Sequence, residues 1–265
     1  MNASLIIKIS ICITVVVLCF GICHFLFVHY NGILLRLGLY PVHKTDKTSQ
    51  PTFKGRLIGF CGDSVTFGYS DDKDGEQLDS AWIKQIPNLL GCDVVNCGIN
   101  SASVLSNTPT PKAWAKSFDE IPKQIDILGV MIGINDCYRG YPLGNFEDRS
   151  ETTFYGGLHK LIKGLTERFP IHEKKHVFLI IYPNYEAMKE FNRYTEAMYK
   201  VANYYSIPVC DLSLVLGASP YNDERFEYWR KYQDNEFHNP HPTDLVSHAY
   251  ATAIANYINS HYLIE

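Results

Sequence analysis

Five short runs dominated by apolar and β-branched residues constrain this chain most: Leu57–Cys61, Asp93–Asn96, Ile125–Ile132, His176–Tyr182 and Pro208–Asp211. Their length, and the turn residues that bound them, are those of strands buried on both faces of a parallel sheet. The text between them has helical spacing. Trp82, Ile83, Ile86, Leu89 and Leu90 recur at intervals of three and four up to Gly91, a residue suited to ending a helix. Phe154–Phe169 and Tyr185–Tyr205 are longer helix candidates. A last helix is expected after Thr243, a good N-cap, with Val246, Tyr250, Ile254 and Ile258 on one stripe and Ala249, Ala253 and Tyr257 beside it. Strands alternating with helices predict a three-layer α/β/α sandwich around a five-stranded parallel sheet.

A different segment precedes that pattern. Ile9–Val28 is apolar and free of charged side chains, and about 20 such residues match the hydrocarbon thickness of a bilayer. No Ala-x-Ala cleavage site follows, so an uncleaved transmembrane helix is expected over a signal peptide. Residues 1–30 are thus read as a membrane anchor, 31–54 as a juxtamembrane tether and 55–265 as the folded domain. Lys8 precedes the span, whereas Arg36, Lys44, Lys47, Lys54 and Arg56 follow it, which by the positive-inside rule favours a cytoplasmic domain. A very short tail before a long domain fits a signal-anchor instead, and an extracytoplasmic domain is the expectation adopted.

With 24 basic and 28 acidic side chains, the formal charge of −4 gives no electrostatic case for a nucleic-acid partner. Of eight cysteines, Cys12, Cys19 and Cys23 lie in the apolar span; the other five, Cys61, Cys92, Cys97, Cys137 and Cys210, are an odd number without the spacing of a disulfide scaffold, and they read as small apolar fillers. No Cys-x-x-Cys pair suggests zinc.

The chemistry is carried where strands end. Gly62-Asp63-Ser64 follows the first run, placing a hydroxyl where open α/β sheets bind their ligands, although a helix-capping serine would look the same. Gly62 and Gly68 permit close backbone approach there. Gly98 closes the second run and could offer an unobstructed N–H; a plain turn glycine is the simpler alternative. Asn135, in Gly133-Ile134-Asn135-Asp136, could add an amide donor, or merely form an Asn-Asp turn. His241, held between Pro240 and Pro242 before the last helix, could accept the serine proton. Nucleophile, base and oxyanion donors are the parts that acyl-ester chemistry needs. His238 and His248 lie near His241, but their spacing matches no metal-binding pattern and no metal is expected. His159, His172, His176 and His261 read as surface or packing residues.

In this order the four segments resemble the blocks of the SGNH, or GDSL-type, hydrolase family, whose serine, glycine, asparagine and histidine fall here on Ser64, Gly98, Asn135 and His241. The resemblance spans Leu57 to about Ile258 and implies a flavodoxin-like sandwich, no metal or other cofactor, and hydrolysis or transfer of ester-linked acyl groups. Ser64 and Gly98 would supply N–H groups, and Asn135 its side-chain amide, to the oxyanion hole. One position departs. The family carries an aspartate three residues before its histidine, where this chain has His238. Asp234, seven residues before His241, could orient it; Asp234 could also orient His238 as an alternative base; or a Ser-His dyad could suffice. The His-Pro-Thr-Asp-Leu sequence entering the last helix favours His241. The expected function is a membrane-anchored serine esterase acting on short acyl groups, such as O-acetyl groups of cell-surface carbohydrate. An acyltransferase with the same site and an inactive, membrane-tethered glycan- or partner-binding module are the alternatives. Tyr221, Phe226, Tyr228, Trp229 and Tyr232 could form a sugar-stacking rim, although packing under a loop is the commoner use.

Overall fold

A computed structural model of the protein describes residues 53–69, 76–105, 112–183, 190–217, 224 and 241–262. The chain divides after residue 50, and every described residue falls in the unit 51–265. The expected span Ile9–Val28 and the tether up to residue 52 lie outside the described residues, as do the aromatic residues Tyr221, Phe226, Tyr228, Trp229 and Tyr232. Among the described residues no helix is long and apolar enough to cross a membrane.

All five expected strands form: β1 (Leu57–Gly62), β2 (Asp93–Gly98), β3 (Ile127–Met131), β4 (His176–Ile181) and β5 (Val209–Asp211). They make one parallel sheet in the order β2-β1-β3-β4-β5. The chain order reverses at β1, whose neighbours β2 and β3 are reached in opposite directions. Right-handed crossovers then put the β1–β2 helix on one face and the later connections on the other. The crevice at such a reversal, beyond the strands' carboxyl ends, is where open α/β sheets take ligands.

The helices, in chain order, are α1 (Ser64–Phe67), α2 (Trp82–Leu90), α3 (Trp114–Ser117), α4 (Ile134–Tyr138), α5 (Phe154–Arg168), α6 (Phe191–Tyr204), α7 (Leu212–Val215) and α8 (Asp244–His261). Helix α2 packs on α8, and α5 packs on α6. Between α2 and the sheet, Trp82 meets Phe60 edge to face, with ring centroids 5.0 Å apart, and gives its indole N–H to the Val65 carbonyl. The stripe of α8 is wider than the periodicity suggests. Val246, Tyr250, Ile254 and Ile258 are buried as expected, and so are Ser247, Ala251 and Ala255, while Tyr257 is only half-buried. Thr243 stands at the N-cap, but its side chain does not cap the helix.

Two glycines mark where backbone meets backbone at the strand ends. A Cβ on Gly98 would lie 2.2 Å from the Phe67 nitrogen and 2.6 Å from the Thr66 carbonyl carbon, so the end of β2 touches the main chain of α1. A Cβ on Gly62 would lie 2.3 Å from the Met131 oxygen. Such contacts cannot be relieved by turning a side chain. Overfilling a packed interior typically costs about 1–3 kcal/mol, and Gly98→Ala is expected to lie at or above the top of that range. Urea unfolding of the two proteins measures it; equal midpoints would mean that α1 stands further from β2.

Candidate active site

The turn after β1 is built by its own residues. Asp63 caps α1, its carboxylate accepting the Val65 N–H at 3.0 Å. Gly68 ends the helix in the left-handed region, at φ 86°, and donates its N–H to Ser64 O. This four-residue helix holds Ser64 at its first position, half-buried.

His241 precedes α8 by three residues, yet its Nε2 lies 2.8 Å from Ser64 Oγ. A contact across 177 residues of sequence requires both the β1 turn and the α8 terminus to be in place. The Tyr69 ring packs on the His241 imidazole, with centroids 4.6 Å apart and planes tilted by 38°. At that separation the ring restrains the imidazole in its rotamer. Hydroxyl and imidazole are therefore poised for proton transfer over a normal hydrogen-bond distance.

The candidate oxyanion donors come from the ends of β2 and β3. The Asn135 amide donates one hydrogen to the Ala102 carbonyl at 2.8 Å; an amide nitrogen carries two. The Gly98 N–H donates to the side-chain oxygen of exposed Asn96, also at 2.8 Å. An oxyanion using that N–H would take the place of the Asn96 oxygen. Gly98 is thus a glycine for packing reasons as well as for any role in binding.

Several supporting contacts have no signal in the sequence pattern. Gly62 O accepts the Trp114 indole N–H at 3.0 Å and the Ile99 N–H at 3.1 Å, tying the segments after β2 to the end of β1. Tyr182, at the end of β4, brings its hydroxyl 2.6 Å from Asp63 Oδ2 and 3.0 Å from Met131 O. Asp136 accepts the Val104 and Leu105 N–H groups. Both Asp63 and Asp136 are fully buried, and burial pushes each carboxyl up to about 7 against the hydrogen bonds that favour its charge. The Asp63 charge raises Asp136 further. Tyr182 has one hydroxyl hydrogen for two acceptors. The shorter contact is the one to Asp63, and donation there favours the charged carboxyl against burial.

Asp234 and His238 lie outside the described residues. His248 is exposed on α8 and bonded to Gln85. His159 is buried, bonded to Phe146 O and the Tyr205 hydroxyl. Among the described residues no cluster could hold a metal ion, and the cysteines at 61, 92, 97, 137 and 210 are free thiols.

A serine paired with an imidazole at the strand ends of a 2-1-3-4-5 parallel sheet defines a class, the α/β/α serine hydrolases. Residues 60–246 match the GDSL-like lipase/acylhydrolase family. The chain belongs to that family and is an ester hydrolase. Solved structures share its fold. A protein from Lactobacillus plantarum is 20% identical, with a TM-score of 0.64 over 79% of this chain and 99% of its own. A structure from Bacteroides ovatus, described as a GDSL-like lipase, is 16% identical, with a TM-score of 0.56 over 77% of this chain and 98% of its own. The aryl esterase of M. smegmatis is 15% identical, with a TM-score of 0.57 over 79% of this chain and all of its own. No curated protein matches in sequence.

The buried carboxylate under Ser64 makes a pH prediction. An acid whose folded pKa is raised binds its proton more tightly in the folded state. Its proton-linked stability is full below about pH 4, the unfolded value, and is lost as pH rises through about 7. Burial lowers His159 and His176, which gives the opposite slope near pH 6, so the difference between variants is the useful quantity. Asp63→Asn imitates the neutral form. Subtracting its melting temperatures from those of wild type should leave a difference that shifts against wild type between pH 4 and 7. Parallel curves would mean that Asp63 does not titrate in that window.

Proposed function

We propose that the protein is a serine esterase working through an acyl-enzyme, with Ser64 as nucleophile and His241 as base. Ser64 Oγ adds to the ester carbonyl carbon as its proton passes to His241 Nε2. The negative charge gathers on the former carbonyl oxygen, held by the N–H groups of Ser64 and Gly98 and the amide of Asn135. Collapse expels the alcohol, which takes the proton back from His241. Water then repeats the sequence on the acyl-enzyme and frees the acid and the serine. What supports the reading is the 2.8 Å hydrogen bond between Ser64 and His241, two residues that no feature of local structure would bring together.

Short acyl esters, O-acetyl groups of surface carbohydrate among them, are the proposed substrates. A transferase would differ only in using a sugar hydroxyl in place of water. The apolar, uncharged Ile9–Val28 supports a membrane anchor, with the domain outside the cytoplasm. Asp234 and His238 are the candidates for orienting the base or replacing it.

Turnover of p-nitrophenyl acetate tests the assignment. Ser64→Ala should abolish it. His241→Ala should lower kcat by orders of magnitude, since loss of a triad member removes most of the rate enhancement, and His238→Ala should do less. The reverse ranking of the two histidines would identify His238 as the base. Activity that survives Ser64→Ala would rule out the mechanism.

A further inference from the structure

The proposed oxyanion donors stand on separate elements, Gly98 at the end of β2 and Asn135 on α4, so something must fix the distance between them. The loop after Gly98 makes few bonds within itself, the Ala102 N–H to Ile99 O and the Ser103 hydroxyl to Leu105 O. Ser101 sits in the left-handed region at φ 63°, which is unfavourable for a side chain other than glycine. Ala102, Ser103, Val104 and Leu105 are buried, and their main-chain groups need partners. The segment 112–115 partners the Ser103 N–H, Ser103 O and Val104 O, and the side that faces the proposed donors is held from one short stretch at α4. Arg139 donates to Ser101 O at 2.9 Å, and Asn135 donates to Ala102 O. Asp136 spreads its two oxygens over consecutive amides, Oδ2 on Val104 N–H at 2.8 Å and Oδ1 on Leu105 N–H at 2.9 Å.

We infer that Asp136 is a positioning residue for the oxyanion hole: by clamping the Val104 and Leu105 amides it sets the Asn135 amide at its working distance from the Gly98 loop. Asp136 is fully buried and cannot itself touch substrate. It adjoins Asn135 in sequence, so any shift of the clamped loop relative to α4 becomes a shift of the donor relative to Gly98. The role rests on the assignment of Asn135 and Gly98 under Proposed function.

The full-length chain tests it with p-nitrophenyl acetate. Asp136→Asn keeps the shape, but it retains one acceptor and turns an NH2 group towards the second amide. Its kcat should fall roughly ten- to hundredfold, less than the 10²–10³-fold of deleting a donor outright, with KM within about threefold of wild type. The clamp acts through Asn135, so Asn135→Ala/Asp136→Asn should be no slower than Asn135→Ala alone. Undiminished kcat in folded Asp136→Asn, or losses that multiply in the double variant, would overturn the inference. Should Asp136→Asn fail to fold, Arg139→Ala, which frees the same loop from a half-exposed position, carries the expectation of lower kcat at unchanged KM; an unchanged kcat there would overturn it too. An active wild type with normal variants counts against the clamp alone, whereas a wild type inert on all short esters counts against the hydrolase reading beneath it.

Discussion

The main chain of α1 lies directly on the end of β2, and the end of β1 lies against the Met131 carbonyl of β3, with no room for a side chain at either contact. Gly98 makes the first contact possible and Gly62 the second, and the rest of the site follows from them. Ser64 reaches the top of the sheet because the helix begins at once, capped by Asp63 and ended four residues on by Gly68. The N–H of Ser64, the N–H of Gly98 and the Asn135 amide share one neighbourhood because β1, β2 and β3 are adjacent in the sheet. Had the order of strands been different, the same residues would be scattered along an edge.

Beneath that surface the design is electrostatically unfavourable in a specific way. Two carboxyl groups, Asp63 and Asp136, are enclosed by the apolar ends of the strands, and the charge of one raises the other. Each is retained at a place where main-chain amides would otherwise go unsatisfied: the first turn of α1 and the loop after Gly98. An unpaired buried amide costs about 1–3 kcal/mol, so replacing either acid by an apolar residue would expose that penalty. The arrangement trades carboxylate desolvation for a fixed loop geometry next to Ser64.

The sheet was legible because its strands are buried on both faces. A short apolar run such as Leu57–Cys61, bounded by turn residues, suits a buried strand, and the observed strands end within two residues of the expected limits at every boundary. The positions of Ser64, Gly98, Asn135 and His241 were legible because each stands at a strand end or within three residues of a helix start, which places it without knowledge of distant contacts. The supports were not. Tyr182 lies 119 residues from Asp63 and Trp114 lies 52 from Gly62, and nothing in local spacing pairs them. The width of the α8 stripe was underestimated because Ser247, Ala251 and Ala255 are too small or polar to register as a hydrophobic face, although all three are buried. Gly98 was read for its N–H alone, whereas its missing Cβ also serves packing.

The most direct test of a serine made nucleophilic by the imidazole beside it is covalent trapping. Wild type and His241→Ala would be treated with a p-nitrophenyl alkylphosphonate and the modified peptide located by mass spectrometry. A single adduct on Ser64, formed rapidly in wild type and very slowly without His241, is the predicted result. Labelling of another residue, or of Ser64 at equal rates in both proteins, would contradict the account.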